Sequence, residues 1–233
     1  MKSQQAIDAG YDSISHIAYL RDVFPTVKDA APEQHWEITA SRDLNAPEFR
    51  RLVDSVVAHH VVIDDTMALF EPFFFTKDVY AKREPGVTTM PAQLPPMGGL
   101  DNPTEADAAG RAFDSILATV RVLHERGVTL VAGTDIAVPG HSVHRELELY
   151  VMAGFTPMQA IQAATSVPAK YMHRDKELGT VEVGKRADLV VVAGNPLDNI
   201  NDIRNTKLVV ARGRVYESAA LWKLSGFGQI RSP

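Results

Sequence analysis

Apolar residues recur along this chain in two alternating rhythms: short continuous runs bounded by turn residues, and longer stretches spaced i, i+3, i+4, i+7 like one face of a helix. Phe49, Leu52, Val53, Val56 and Val57 form such a stripe, in a helix that opens at Leu44-Asn45-Ala46-Pro47 and runs to His59-His60. Val61-Val62-Ile63 follows as a short buried strand with Asp64-Asp65-Thr66 at its end. Phe113, Ile116, Leu117, Val120 and Leu123 give a second buried helix face, with Thr104 and Asp107 as its capping box and Gly127 as its stop. The run from Val128 to Ala132 predicts another strand, closing on Gly133, Thr134 and Asp135. Near the start, Ala6 to Ala9 end a helix at Gly10, and Tyr11 to Ser15 predict a strand ending in His16. Helix and strand alternating in this way is the pattern of a parallel α/β layer.

Beyond Asp135, a loop from Ile136 to Ser142 leads into a helix from His144 to Gly154, where the glycine occupies the C′ position. A further helix spans Thr156 to Thr165, with Thr156 as N-cap, Pro157 at the first helical position and Gln159 completing a capping box. Leu178 to Val192 predicts a short strand, a glycine turn at Gly184 and a second, apolar strand, with Lys185 and Asp188 fixing the hairpin. The segment from Ala68 to Pro103 holds six prolines, with Phe70, Phe73, Phe74, Phe75 and Tyr80 gathered at its start. It reads as a loop well beyond the ~12 to 15 residues of ordinary connections, placed to overhang the strand ends and cover a substrate. Arg21 to Arg42 reads as a shorter loop on the same face.

Composition narrows the class. With 45% hydrophobic and 23% charged residues in 233, the chain is an ordinary globular protein of one or two domains. A net charge of -5 argues against a nucleic-acid partner, and the absence of a long apolar run argues against a membrane partner. Met1 to Gly10 lacks the apolar centre of a signal peptide, so the expected compartment is cytoplasmic unless an export signal precedes Met1. There are no cysteines, so any metal must be held by His and carboxylate.

The chemistry concentrates at the strand ends, because catalytic groups of a parallel α/β barrel lie at the C-terminal ends of its strands. Asp135 stands at such an end, although a Gly-Thr-Asp could also be a turn that caps the next helix. His16 is the matching histidine, or an ordinary polar strand end. His141 and His144 follow closely enough to contact a substrate, or are simply a loop and a helix-start histidine. Arg145, Glu146 and Glu148 read as an ion network anchoring their helix, and His59-His60 as dipole partners of a helix C-terminus.

Gly133-Thr134-Asp135, the helix opening His144-Arg145-Glu146-Leu147, the helix Thr156-Pro157-Met158-Gln159-Ala160-Ile161, and Gly184-Lys185-Arg186-Ala187-Asp188-Leu189 together resemble the C-terminal part of the metal-dependent amidohydrolase superfamily. The similarity is greatest to its imidazolonepropionase-like and Xaa-Pro-dipeptidase-like members, and it runs from about Ala6 to Tyr216. It implies an α/β fold: strands six to eight of a (β/α)8 TIM-type barrel over 1–176, a β-sandwich portion over 177–217, and a tail or helix over 218–233. In this family the Gly-Thr-Asp carboxylate binds the metal and takes the proton from the attacking water, which gives Asp135 both roles. His16 matches the metal-binding histidine of strand six, with Ser15 where the family has Glu.

The family's His-x-His pair has no counterpart here: the histidines stand at 16, 35, 59, 60, 124, 141, 144 and 173. The resemblance therefore implies five strand-helix units upstream, an incomplete chain, and no activity from it alone. Zinc is the expected metal, with manganese, iron or cobalt suited to the same donors. The implied reaction is hydrolysis of an amide-type C–N bond in a small-molecule amide or dipeptide by metal-activated water, with homo-oligomerisation possible. The alternative expectation is a short non-catalytic half-barrel that oligomerises or binds a partner.

Overall fold

A computed structural model of the protein describes residues 2–24, 32–94, 98–135 and 137–228. The elements in chain order are α1 (Ser3–Asp8), β1 (Ser13–Ser15), α2 (Pro32–Ala40), α3 (Pro47–Ala58), β2 (Val62–Asp64), α4 (Met67–Phe70), α5 (Lys77–Arg83), α6 (Ala106–Glu125) and β3 (Leu130–Val131). They continue with α7 (Ser142–Met152), α8 (Pro157–Ala163), α9 (Ser166–Tyr171), β4 (Leu189–Val192), β5 (Thr206–Ala211), β6 (Arg214–Glu217) and α10 (Ser218–Ser225).

The first three strands form a parallel sheet in the order β1-β2-β3, with Ser15 opposite Asp64 and Asp64 opposite Val131. Because the strands are parallel and in this register, their C-terminal ends lie side by side. The apolar stripes of α3 and α6 are buried as their spacing requires: Phe49, Leu52, Val53 and Val56 on one, Phe113, Val120 and Leu123 on the other. They join one core with Ile14, Ile63 and Leu130 of the sheet and Leu149 and Tyr150 of α7. The α8 capping box forms as its sequence predicts, with Thr156 Oγ1 accepting from Gln159 N and Gln159 Oε1 accepting from Thr156 N.

Four expectations are corrected. The segment 68–103 is not an open loop: it carries α4, α5 and 3-10 turns at Glu71–Phe74 and Pro85–Thr89. Three of its aromatics pack inward, Phe74 against Trp36 and Phe113, Phe75 edge-on to Phe113, and Tyr80 buried, while Phe70 packs on His16 and Phe73 is exposed. Residues 95–97 lie outside the described residues. The segment 21–42 likewise carries a helix, α2, whose Glu37 pairs with Arg111 of α6; residues 25–31 are outside the described set. Thr104 does not open α6: Asn102 Oδ1 accepts from Thr104 N and caps a 3-10 turn at Pro103–Glu105, from which α6 continues. Finally, 178–183 forms no strand. The apolar run β4 pairs antiparallel with β5, and β5 with β6, in a three-stranded sheet whose Val190, Val191 and Val215 are exposed.

This second sheet is tied to the first layer by a buried ion network. Arg145 donates to Glu71 (2.6 and 2.7 Å) and to Glu148 (2.9 Å), and Arg204 donates to Glu148 (2.5 and 3.1 Å) and to Glu84 (3.0 Å twice). Arg145 and Glu148 thus anchor α7 as the sequence suggests. Glu146 does not take part, and its partners are described below. No helix among the described residues is long and apolar enough to cross a membrane.

Candidate active site

Each of the three parallel strands ends in a residue that leaves the sheet with positive φ: His16 after β1 (69°), Thr66 after β2 (50°) and Asp135 after β3 (41°). Side chains other than glycine rarely adopt this region, and such residues persist where the surroundings fix them. The result is a layer of polar side chains across the C-terminal edge of the sheet. His16 N donates to the Asp64 carbonyl (2.6 Å) and Ile17 N to that of Asp65 (3.1 Å), so the chain after β1 stays clamped to the chain after β2.

His16 Nε2 lies 3.8 Å from Asp135 Oδ2. The Asp135 side chain is 58% exposed and that of His16 22%, so the pair opens to solvent from the aspartate side. The other ring nitrogen, Nδ1, is 2.7 Å from Thr66 Oγ1. Tyr19 and Phe70 pack against the imidazole, with ring centroids 5.4 and 5.6 Å away, and hold its plane.

Between His16 and Asp135 stands Asp64, whose Oδ2 accepts from Ser15 Oγ at 3.5 Å while its buried Oδ1 has no hydrogen-bond partner among the described residues. Burial raises the Asp64 carboxyl above its ordinary value, the nearby His16 and Ser15 pull it down, and Asp135 adds to the rise. Gly133 is obligatory at this point, because a Cβ there would fall on the Asp64 carboxylate. The first residue of Gly-Thr-Asp is thereby explained by a close approach, as glycine permits.

Asp65 and Glu146 lie beneath this layer, both 0% exposed. Burial pushes the Asp65 carboxyl up to about 8, with Asp64 adding to the rise. Among the described residues neither of its oxygens has a hydrogen-bond partner, and the Tyr150 hydroxyl near it donates to the Val131 carbonyl (2.9 Å). Burial likewise raises Glu146, opposed by the two backbone amides it accepts, Met67 N at 3.0 Å and Ala68 N at 2.6 Å.

The pair suits a divalent cation in kind and spacing: an imidazole nitrogen and a carboxylate oxygen, each ~2.0 to 2.2 Å from one ion, can lie up to about 4 Å apart. No cluster of three or more His, Cys, Asp or Glu able to hold a metal occurs among the described residues, so the His16–Asp135 pair alone does not make a complete metal site there. Structural and catalytic zinc sites alike draw on at least three protein ligands.

His141 and His144 are placed differently. They line a cavity of about 480 Å³ with Arg204, Thr206, Glu217 and Trp222, a lining that includes neither His16 nor Asp135. His141, 3% exposed at the N-cap of α7, stacks on Trp222 with centroids 4.4 Å apart, and neither of its ring nitrogens has a hydrogen-bond partner among the described residues. Burial lowers its pKa, and lowers that of His144 to about 4 with Arg204 and His141 adding to the fall, so both are neutral imidazoles at neutral pH. Thr66 and Glu146 are the site residues that sequence reasoning missed. Thr66 closes the Asp64-Asp65-Thr66 strand end, which carried a signal, whereas Glu146 looks like its helix neighbours and carried none.

Residues 105–216 match the amidohydrolase family. Ochratoxinase of Aspergillus niger is 33% identical over 117 residues, which cover 49% of this chain and 24% of that protein. An imidazolonepropionase of Caldanaerobacter subterraneus subsp. tengcongensis is 37% identical over 86 residues, covering 35% of this chain and 20% of the relative. Among solved structures, a Xaa-Pro dipeptidase with methionine bound in its active site aligns with a TM-score of 0.59 at 26% identity, over 93% of this chain and 42% of that one. The chain therefore spans less than half the length of these relatives. Residues 105–216, which contain the Gly-Thr-Asp strand end and the helices that follow it, thus carry an amidohydrolase-family match.

Proposed function

We propose that this chain carries part of the active site of a metal-dependent hydrolase that cleaves an amide-type C–N bond in a small amide or a dipeptide. In this reading β1, β2 and β3 are strands six to eight of a (β/α)8 barrel within 1–176, 177–217 contributes to a β-sandwich, and 218–233 is an appended tail or helix, of which 229–233 lie outside the described residues. The observation that carries the proposal is the 3.8 Å approach of His16 Nε2 to Asp135 Oδ2 across the end of β2, from the strand ends on either side of it. His16 and Asp135 would hold a divalent cation, zinc by default or manganese, iron or cobalt, which when bound lowers the pKa of water and polarises a carbonyl.

The remaining steps belong to the protein. Asp135, exposed beside the pair, accepts the proton of the attacking water and returns it to the departing nitrogen. Asp65, buried and pushed up to about 8, keeps its proton at neutral pH and is not the proton acceptor of the layer. His141 and His144 are read as substrate contacts, supported by their unpartnered ring nitrogens at the start of α7, the helix that follows Asp135.

The test joins this chain to the N-terminal portion of a Xaa-Pro dipeptidase, loads zinc, and measures hydrolysis of Xaa-Pro dipeptides and N-acyl amino acids. Asp135→Asn keeps the size of the side chain but cannot take the proton, so turnover should vanish with the fold intact. A loss below about tenfold, ~1.4 kcal/mol of barrier, would remove Asp135 as the base. The second reading, a non-catalytic module that oligomerises or binds a partner, is favoured by the exposed valines of β4 and β6, and predicts no turnover from the fusion together with concentration-dependent association of the chain.

A further inference from the structure

Thr66 is β-branched, 2% exposed and left-handed (φ 50°, ψ 40°), a conformation that such a residue takes only under constraint. The constraint is visible on its C-terminal side. The next two amides, of Met67 and Ala68, point into the two carboxylate oxygens of Glu146, at 3.0 and 2.6 Å. Both residues are buried, as is Glu146, so no water replaces this acceptor. One carboxylate taking two successive amides sets the direction in which the chain leaves β2, and with it the direction of the Thr66 side chain.

That side chain meets the imidazole of His16, with Oγ1 2.7 Å from Nδ1. A neutral imidazole carries its hydrogen on one nitrogen and a lone pair on the other, and a hydroxyl can act as either partner. The outcome matters because Nε2 is the nitrogen that faces Asp135. A hydroxyl donating to Nδ1 would place the imidazole hydrogen on Nε2 and close it to a cation, whereas a hydroxyl accepting from Nδ1–H leaves the Nε2 lone pair free.

We propose that Glu146, through the amides of Met67 and Ala68, holds Thr66 so that Oγ1 accepts the Nδ1 hydrogen of His16 and fixes the imidazole with its Nε2 lone pair toward Asp135. Thr66 and Glu146 are thus positioning residues. This rests on the reading of His16 and Asp135 as one metal centre, but its test does not need metal or activity.

The test is the long-range 1H–15N spectrum of the histidine rings in the 15N-labelled, metal-free full chain near pH 8, with His16 assigned by His16→Gln. The expected spectrum shows His16 protonated on Nδ1 and bare on Nε2. The opposite tautomer, or a rapid mixture of the two, overturns the proposal. Thr66→Val removes the acceptor and should move His16 to the Nε2–H form, while Thr66→Ser should keep the wild-type form. Glu146→Gln turns an amide NH2 toward one of the two backbone donors, and should shift the Met67 and Ala68 amide signals together with the His16 ring. A shift of those amides with the ring unchanged would remove Glu146 from the relay. Should Thr66→Val or Glu146→Gln fail to fold, the wild-type and Thr66→Ser spectra still decide the tautomer. Added zinc separates the two readings: an Nδ1–H tautomer whose Nε2 signal ignores zinc sinks the metal centre and leaves the positioning intact. If both hold, Thr66→Val should bind zinc about 10- to 100-fold more weakly.

Discussion

Replacing Asp65 by Asn should make the protein's stability markedly less sensitive to pH. Asp65 is fully buried, has no hydrogen-bond partner among the described residues for either oxygen, and is pushed up to about 8 from an ordinary value of 3.8. Between those two values the unfolded chain has released a proton that the folded chain retains. The folded state therefore enjoys its full advantage from this group below pH 3.8, and loses it progressively as pH rises toward 8. A shift of about four units corresponds to roughly 5 kcal/mol across that window, an upper bound because local relaxation and water entry soften burial. Asn has no proton to lose. Its buried NH2 without an acceptor adds a constant cost of about 1–3 kcal/mol at every pH, so the slope and not the offset carries the test. Urea unfolding of both proteins, followed by Trp36 and Trp222 fluorescence from about pH 5 to about pH 7.5, gives the difference in free energy at each pH. That difference should move in favour of Asn with rising pH, by up to ~1.4 kcal/mol per unit. A difference independent of pH would show that Asp65 titrates alike folded and unfolded, and the account of the buried carboxyls would fail.

Arg204→Met strands buried Glu84 without its guanidinium and leaves Glu148 to Arg145 alone, and should cost about 3–5 kcal/mol, read as a fall in Tm. Gly133→Ala sets a methyl against the Asp64 carboxylate and should cost about 1–3 kcal/mol; Asp64→Ala in the same chain should recover much of that loss in thermal melts. If His16 and Asp135 are metal ligands as proposed, zinc should bind this chain weakly and leave on dialysis against a chelator, with His16→Ala weakening it further by calorimetry, since two ligands fall short of the usual three. Tight stoichiometric zinc in a monomer would show that further ligands have been missed.

What the sequence made legible was local. Strand ends at His16, Asp64 and Asp135 follow from where apolar runs stop, and the Thr156 capping box from residues three apart that meet whatever the fold does. The 68–103 segment misled because prolines, read as breakers, here open 3-10 turns at Pro72 and Pro85, and because Phe74 and Phe75 pack onto Phe113 of α6, a helix far along the chain. Thr104 lost its capping role to Asn102 for a similar reason: Pro103 starts its own turn first. Glu146 could not be told from Arg145 and Glu148, since only the tertiary fold turns it toward α4 while they face other charges. The left-handed residues gave no signal either, because nothing but glycine advertises positive φ in a sequence.

Two populations of buried carboxylate now separate the structural part of the molecule from the chemical part. Glu71, Glu84 and Glu148 are buried as deeply as Asp65, yet each meets one or two arginines, and the Arg204 and Arg145 guanidiniums outweigh burial to hold Glu148 below its ordinary value. Such pairing fixes α7 against its neighbours and leaves no oxygen of these groups among the unpartnered buried atoms. At the strand ends the pattern is reversed: Asp64 and Asp65 keep bare oxygens, and His16, Thr66 and Asp135 hold strained backbones beside them. Strain and unmet hydrogen-bonding capacity both reduce stability, so a fold that could satisfy its acids with arginine elsewhere has reason to leave them bare only where a ligand or proton completes them. His16, Thr66 and Asp135 stand together on that edge, at the end of the sheet where a parallel α/β fold places its chemistry.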